Sequence, residues 1–129
     1  MIRVALISVL ALVAAPVSVS AETYGAIAYS FQSDKYGRAW NYGSRQEAEK
    51  AAIGFCKAAG GKRCKIGVWL QDTCGAFSVS ETSRNMKQAG SSWGFTSSNA
   101  AHGRAVQECE ARDGAGTCHV VASVCSNGK

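Results

Sequence analysis

The sequence predicts an α+β domain in which two ββαβ repeats form one antiparallel sheet with both helices on one face. Three observations lead to this prediction. A set of residues recurs in the same order in the two halves of the chain, the apolar residues alternate between strand and helix periods, and six cysteines occur in 129 residues. Small exported domains commonly use cysteines in such numbers as disulfides. The fold is therefore expected to be disulfide-stapled.

The composition is that of a globular chain. Hydrophobic residues make up 47%, and 14 Lys and Arg residues outnumber 9 Asp and Glu residues, which gives a formal net charge of +5. These values exclude a disordered, collagen-like or multi-spanning membrane protein. The length favours one domain over two.

The first 21 residues have the pattern of a secretory signal peptide. Arg3 gives a cationic start, residues 4–15 are apolar and uncharged, and small residues precede a cleavage site after Ala21. We therefore expect cleavage near Ala21 and a periplasmic or secreted protein. An uncleaved membrane anchor is the alternative, but the apolar run is too short to span a bilayer and is followed by Pro16. Beyond it, no stretch of sequence is apolar enough to cross a membrane.

Residues 22–129 are interpreted as a single domain built from two copies of one unit. Residues of the first half return in the second half in the same order. The offset is constant from Trp40 to Cys56 and slips by one residue before Cys64, an agreement that chance does not produce. The matching pairs are Tyr24 and Cys74, Trp40 and Trp93, Ser44 and Ser97, Ala48 and Ala101, Ala52 and Ala105, Cys56 and Cys109, and Cys64 and Cys118. The predicted halves are 24–73 and 74–125.

Two strands open the first half. Small residues alternate with Ile27 and Tyr29 over 24–30, and the same period continues over 36–42. The polar residues 32–35 between them predict a hairpin turn, so the two strands are expected to be antiparallel neighbours. The aromatic residues of the second strand and their counterparts in the second half are expected in the core, between the sheet and the helices. These residues are Trp40, Tyr42, Trp93 and Phe95.

A helix and a third strand complete the first half. Ser44 and Glu47 have the spacing of a capping box, which satisfies the first free N–H groups of a helix, and Gly60-Gly61 ends the helix. Alternation over 64–70 predicts the third strand. Its parity places Trp69 on the sheet face opposite the aliphatic residues of that strand.

The second half departs from this pattern in its helix and in its first connection. Ser97-Ser98-Asn99 replaces the capping box, and Gly103 interrupts the helical stretch, so the length of this helix is left open. Residues 81–89 are polar and have no hydrophobic period, which predicts a loop.

The positions of the six cysteines predict three disulfides, although 15 connectivities can be drawn for six cysteines. In each half, one cysteine lies on the inward stripe of the helix and the next lies on the inward parity of the following strand, so these two are expected to bond. The remaining two lie on the outer parity of their strands. The predicted bonds are Cys56–Cys64, Cys109–Cys118 and Cys74–Cys125.

A closed set of cysteines argues against a thiol nucleophile and against a zinc site, because both need free thiolates. The sequence also lacks the motifs of serine hydrolases, zinc proteases, phosphate loops and dinucleotide sites. We therefore expect no metal and no cofactor, and the sequence assigns no catalytic residue.

The chain has two histidines, His102 and His119, which correspond to exposed charged positions of the first half. We interpret them as surface residues. The alternative is a general acid and base pair made by one of them with Glu108 or Glu110.

Four cations lie close together near the end of the first helix. They are Lys57, Lys62, Arg63 and Lys65. A solvated face that complements the helix dipole is one interpretation. The other is a basic contact surface beside Trp69, in which Trp69, Lys62, Arg63 and Lys65 bind an anionic envelope polymer, a lipid headgroup or an acidic protein. The modest charge and the exported setting argue against nucleic acid.

Several stretches resemble the bacterial domain-of-unknown-function 4189 family, and the resemblance spans residues 24–126. They are YGAIAY at 24–29, the helix ending in Cys56, CKIGVW at 64–69, CGA at 74–76 and VCS at 124–126. The resemblance implies a small exported bacterial domain whose general activity is unestablished. No catalytic residue is carried over from it.

These observations predict an exported binding module, such as an inhibitor, an immunity factor or a host-contact protein. The closed cysteine set and the lack of a catalytic constellation favour this interpretation. The alternative is a small periplasmic or secreted hydrolase that uses a histidine and carboxylate pair. The sequence does not define the oligomeric state.

Overall fold

The computed structural model describes residues 12–16, 21–80 and 88–129. The helices and strands, in chain order, are β1 (Tyr24–Ser30), β2 (Lys35–Tyr42), α1 (Arg45–Ala58), β3 (Lys65–Gln71), β4 (Cys74–Ser80), β5 (Ala89–Phe95), α2 (Ser98–Asp113) and β6 (Cys118–Cys125). The ββαβ order therefore occurs twice, and the predicted α+β class with two such repeats is confirmed.

The predicted signal peptide and the predicted loop lie largely outside the described residues. Of the former, residues 1–11 and 17–20 are outside, and 12–16 contain neither helix nor strand. Of the loop, 81–87 are outside, and Ala89 already begins β5. Among the residues that are described, no helix is long and apolar enough to cross a membrane.

The strands form two three-stranded antiparallel sheets, with the orders β2-β1-β3 and β5-β4-β6. Large side chains of both sheets meet in one core, which contains Ile27, Tyr29, Val68, Leu70, Phe77, Val79, Ala122 and Val124. The other face of each sheet is rich in alanine and is covered by that repeat's own helix. The layers are therefore helix, sheet, sheet and helix.

This layering corrects the predicted single sheet with both helices on one face. Each repeat has a sheet with two apolar faces, one lined by small residues and one by large residues. The small-residue face is filled by a helix, and the large-residue face needs a second apolar layer to exclude water. The sheet of the other repeat supplies that layer.

Glycines allow each helix to lie close to the backbone of its edge strand. A Cβ atom added to Gly37 of β2 would overlap the backbone of Ala52 and Cys56 in α1. A Cβ atom added to Gly90 of β5 would likewise overlap the backbone of α2. The contact is therefore repeated in both halves, and only glycine fits it without displacing the helix.

Two β-bulges occur at the same places in both repeats. The register shifts lie between Tyr24 and Ala26, between Ile27 and Ala28, between Cys74 and Ala76, and between Phe77 and Ser78. At each bulge one strand has an extra residue, so side chains beyond it lie on the opposite face from that expected by simple alternation.

The first bulge of each repeat corrects the prediction that all four aromatic residues of β2 and β5 lie in the core. Asn41 and Gly94 adopt positive φ angles of 61° and 83° at this point. As a result Trp40 and Trp93 are out of step with the next aromatic residue of their strands, and they are 43% and 66% exposed. The half-buried aromatic residues that pack towards the helices are Tyr42 and Phe95.

The structure contains three disulfides and no free cysteine in its described part. They join Cys56 to Cys64, Cys109 to Cys118, and Cys74 to Cys125, which are the pairs that parity predicts. The first two tie the end of a helix to the strand that follows. The third joins directly opposite residues of β4 and β6.

The second helix is continuous through Gly103 and is longer than the first, with 16 residues against 14. Its N-cap is Ser97, whose side chain accepts a hydrogen bond from the N–H of Ala100 at 3.3 Å. A single serine cap is therefore enough to start this helix, and the disulfide of Cys109 secures its end.

A small polar cluster joins the repeats. The Asp72 carboxylate accepts hydrogen bonds from the Thr23 N–H at 2.9 Å and from the Thr23 hydroxyl at 3.2 Å. In the second repeat the Ser126 hydroxyl accepts from the Thr73 N–H at 3.0 Å. The Thr23 and Ser126 hydroxyl oxygens are 3.1 Å apart. The cluster therefore links the residue before β1, the β3–β4 connection and the residue after β6.

We expect Tyr29 to make the domain less stable at alkaline pH. Its ring is buried in the core and its hydroxyl donates a hydrogen bond to Asp34. Burial, followed by that hydrogen bond and the charge of Asp34, raises the pKa of Tyr29 well above its ordinary value of 10.0. The folded state then keeps the proton that the unfolded state releases. The stability due to Tyr29 is thus complete below about pH 10 and is lost as the pH rises further.

Urea denaturation of the wild-type protein and of Tyr29→Phe at pH 9, 10.5 and 11.5 measures this effect. Above about pH 10 the free energy of unfolding of the wild type should fall more steeply than that of Tyr29→Phe, by up to about 1.4 kcal/mol per pH unit. Parallel pH dependences of the two proteins would show that Tyr29 is not responsible.

Candidate functional site

Two exposed tryptophans on neighbouring edge strands define the main candidate site. Trp69 of β3 and Trp93 of β5 line a groove of about 620 Å³. The edges are held together where the Ser91 hydroxyl donates to the Gly67 carbonyl oxygen at 2.9 Å. We call this site the tryptophan groove; its main lining residues are Gly67, Trp69, Gln71, Thr73, Ser91 and Trp93.

A cation covers the ring of Trp69. Trp69 is 38% exposed, and the guanidinium carbon of Arg45, the first residue of α1, lies 4.3 Å from its ring centre. Arg45 is held by Glu49, one turn further along α1, at 2.6 Å. The geometry is that of a cation–π contact, which fixes the indole and places positive charge beside it.

Sequence reasoning missed Arg45, and it placed Lys65 on the wrong face relative to Trp69. In the β1–β3 register Lys65 is opposite Tyr29 and Trp69 is opposite Ala26. Tyr29 faces the other sheet, whereas Ala26 faces α1. Lys65 and Trp69 therefore lie on opposite faces of the sheet, and four residues of extended strand separate them by about 13 Å.

The other predicted binding cations lie in the loop before β3. Lys62 and Arg63 are exposed. The backbone of Lys62 is held from both sides, because its N–H donates to the Ser33 hydroxyl at 2.9 Å and its carbonyl accepts from the Ser30 hydroxyl. Together with Lys65, these cations form a basic cluster at the end of β3 remote from Trp69.

The histidines lie apart from the tryptophan groove, which is lined by neither histidine nor carboxylate. His102 is on α2, where its Nε2 atom is buried without a hydrogen-bond partner, and His119 is exposed on β6. Glu108 pairs with Arg104 at 2.7 Å, and Glu110 accepts a backbone hydrogen bond. Within the described ranges, no three His, Cys, Asp or Glu side chains form a cluster that could hold a metal.

A family profile matches residues 24–125, which include both repeats, and its description is a domain of unknown function, DUF4189. The chain belongs to the DUF4189 family. All six cysteines and both tryptophans of the groove lie within the matched part of this DUF4189 domain. No curated protein and no solved structure matches the chain.

Proposed function

We propose that this DUF4189 domain is an exported bacterial binding module that contacts a partner through the tryptophan groove. The observation that supports this proposal is the pair of exposed indoles, Trp69 and Trp93, on the two walls of one groove. Tryptophan is enriched at the energetic centres of interfaces, and ligand sites are concave and mostly apolar with a few polar groups. Gln71 supplies an amide here, and the Thr73 and Ser91 hydroxyl oxygens can accept hydrogen bonds, because their protons are donated to the carbonyl oxygens of Phe95 and Gly67.

The charge around the groove favours a partner that carries an anionic group. Arg45 lies on Trp69 with its charge partly offset by Glu49, and the whole chain, including Arg3 of the predicted signal peptide, has a formal net charge of +5. An acidic protein or an anionic polymer of the bacterial envelope has this chemistry. A role as an inhibitor, an immunity factor or a host-contact protein would follow from such binding. Three disulfides suit a periplasmic or secreted setting after removal of the signal peptide near Ala21.

The basic cluster of Lys62, Arg63 and Lys65 is a separate candidate contact. Because it lies at the other end of β3, it would touch a different part of a large partner than Trp69 does. A single small ligand would not bridge the two, since Lys65 and Trp69 are about 13 Å apart along the strand. The two contacts can therefore be tested independently.

An affinity pull-down from envelope extract tests the proposal, with the exported protein as bait. Trp69→Ala and Trp93→Ala should each reduce the recovery of specific partners about tenfold, because each removes a large apolar contact. A triple change of Lys62, Arg63 and Lys65 to Glu tests the basic cluster. Phe31→Ala, which removes an aromatic ring that is as exposed as Trp69 and lies outside this groove, is the control. Equal recovery by all variants would show that the groove is only solvated surface.

A further inference from the structure

A second surface lies along β2, at the opposite edge of its sheet from β3. Among the described residues, no strand pairs with the outer edge of β2. Tyr36 and Trp40 on this strand are each 43% exposed, and Phe55 of α1 is 53% exposed. These three aromatic side chains line a groove of about 540 Å³. We call it the β2 edge groove.

The close approach of α1 to β2 explains how the groove forms. Gly37 has no side chain, so the backbone of α1 at Ala52 and Cys56 lies directly against the strand. Phe55 therefore reaches the edge of β2, where it faces the same groove as Tyr36 and Trp40. The groove thus combines a strand edge with apolar walls on two sides.

In the second repeat the equivalent edge belongs to β5, and charged side chains of α2 lie along it. The counterparts of Tyr36 and Phe55 are Ala89 and Glu108. Arg112 of α2 donates a hydrogen bond to the Ala89 carbonyl oxygen at 2.5 Å, and Glu108 is held by a further arginine. Charged side chains of this kind commonly protect edge strands from pairing with other chains. The first repeat instead presents aromatic residues at the equivalent edge.

The positive charge of β2 favours an acidic strand of another protein over a second copy of this chain as the partner. Lys35 and Arg38 are its charged residues, and the strand carries no acidic residue. Pairing of β2 with the β2 of a second copy would bring like charges together across the strands, which is destabilising. The carboxylate that lines the groove, Asp34, is already engaged by the Tyr29 hydroxyl. An acidic strand therefore complements this edge better than a second copy does.

We propose that the β2 edge groove binds an extended acidic peptide segment of another protein, which adds a strand to β2. The backbone of β2 would supply the main-chain hydrogen bonds, and alternate side chains of the peptide would fit against the aromatic walls. Arg38 is prepositioned for a carboxylate, because it donates to the Ser123 carbonyl oxygen at 3.1 Å and lies 5.8 Å from the ring centre of Trp40. Lys35 supplies the second positive charge.

Fluorescence anisotropy with the full chain and a synthetic peptide tests this proposal. The probe is a labelled peptide of about ten residues in which Glu alternates with Val and Tyr. A peptide with Lys in place of Glu is the charge control, and amide NMR shifts report where the probe binds. We expect saturable binding of the acidic peptide, at least about fivefold weaker binding of the lysine peptide, and shifted amides over 35–40.

Two substitutions replace a residue of the first repeat by the residue found at the equivalent position of the second repeat. Because the second repeat folds with these residues, we expect both variants to fold. Tyr36→Ala and Phe55→Glu should each weaken binding about tenfold. Trp93→Ala, which changes the tryptophan groove, should leave the affinity for the acidic peptide unchanged.

Three results would overturn the proposal: no saturable binding, equal binding of both peptides, or amide shifts confined to the tryptophan groove. A dimer in analytical ultracentrifugation that Phe55→Glu dissociates would also overturn it, because the occupant would then be a second copy.

Discussion

Replacing Cys74 and Cys125 together by alanine is expected to lower the free energy of unfolding by about 4 kcal/mol. This disulfide joins residues 51 positions apart, whereas the other two join residues 8 and 9 positions apart. The entropy that a disulfide removes from the unfolded chain grows with the length of the loop it closes. The same double change at Cys56 and Cys64 should therefore have a smaller effect, about 2.5 kcal/mol.

Urea denaturation followed by circular dichroism gives both values under identical conditions. The comparison is matched, because each variant loses two half-buried or buried sulfur atoms and differs from the other chiefly in loop length. A domain of this size has a total stability of about 5 to 15 kcal/mol, so loss of the long-range bond removes a large share of it. Equal losses in the two variants would contradict the loop-length explanation.

Gly37→Ala is expected to destabilise the domain by about 3 kcal/mol, at the upper end of the usual effect of overpacking. The new methyl group would overlap the backbone of α1 at Ala52 and Cys56, which cannot rotate away as a side chain can. Gly90→Ala should have a similar effect, because its Cβ would overlap the backbone of α2. In both cases the helix has to move off its sheet.

Gly54 provides the matched control, since it lies in α1 with no atom within 4 Å of an added Cβ. Gly54→Ala should stabilise the domain by about 0.5 to 1 kcal/mol through its better helix propensity. Thermal unfolding separates the two cases, with a decrease in Tm of about 10 °C for Gly37→Ala and an increase for Gly54→Ala. A Gly37→Ala protein as stable as the wild type would show that the contact can relax.

The sequence predicts those features that depend on neighbouring residues. The N-cap of α1 is an example: the Ser44 hydroxyl accepts a hydrogen bond from the Glu47 N–H at 3.2 Å. The short disulfides are another, because Cys56 and Cys64 are only 8 positions apart and lie on faces that helix and strand periods define. Each helix and strand is predicted twice, because the same pattern occurs in both halves of the sequence. Local sequence patterns are therefore sufficient for the helices and strands, the N-cap of α1 and the two short disulfides.

The number of sheets and the candidate site depend on contacts between distant residues, which periodicity does not contain. The alternation of residues in β1 shows that Ile27 lies on an apolar face of the strand. It does not indicate whether that face packs against another sheet or against a helix. The cation beside Trp69 comes from Arg45 of α1, which is not its neighbour in sequence. Gly67 within β3 and Gly94 within β5 are hints of irregular strands, because glycine in a strand often marks a bulge. Simple alternation ignores such hints and places Trp69 and Lys65 on one face.

The polar cluster contains two junctions between the repeats. One is a covalent connection of the chain, and the other is made only by side chains. Asp72 and Thr73 are joined by a peptide bond, whereas Ser126 and Thr23, their equivalents in the other repeat, meet through their hydroxyl groups at 3.1 Å. Thr23 and Ser126 thus lie next to each other although they are 103 positions apart in the sequence. A circularly permuted chain that starts at Thr73 and connects Ser126 to Thr23 through a short linker is therefore expected to retain the same sheets, helices and disulfides. Other domains fused before Thr23 and after Ser126 emerge side by side.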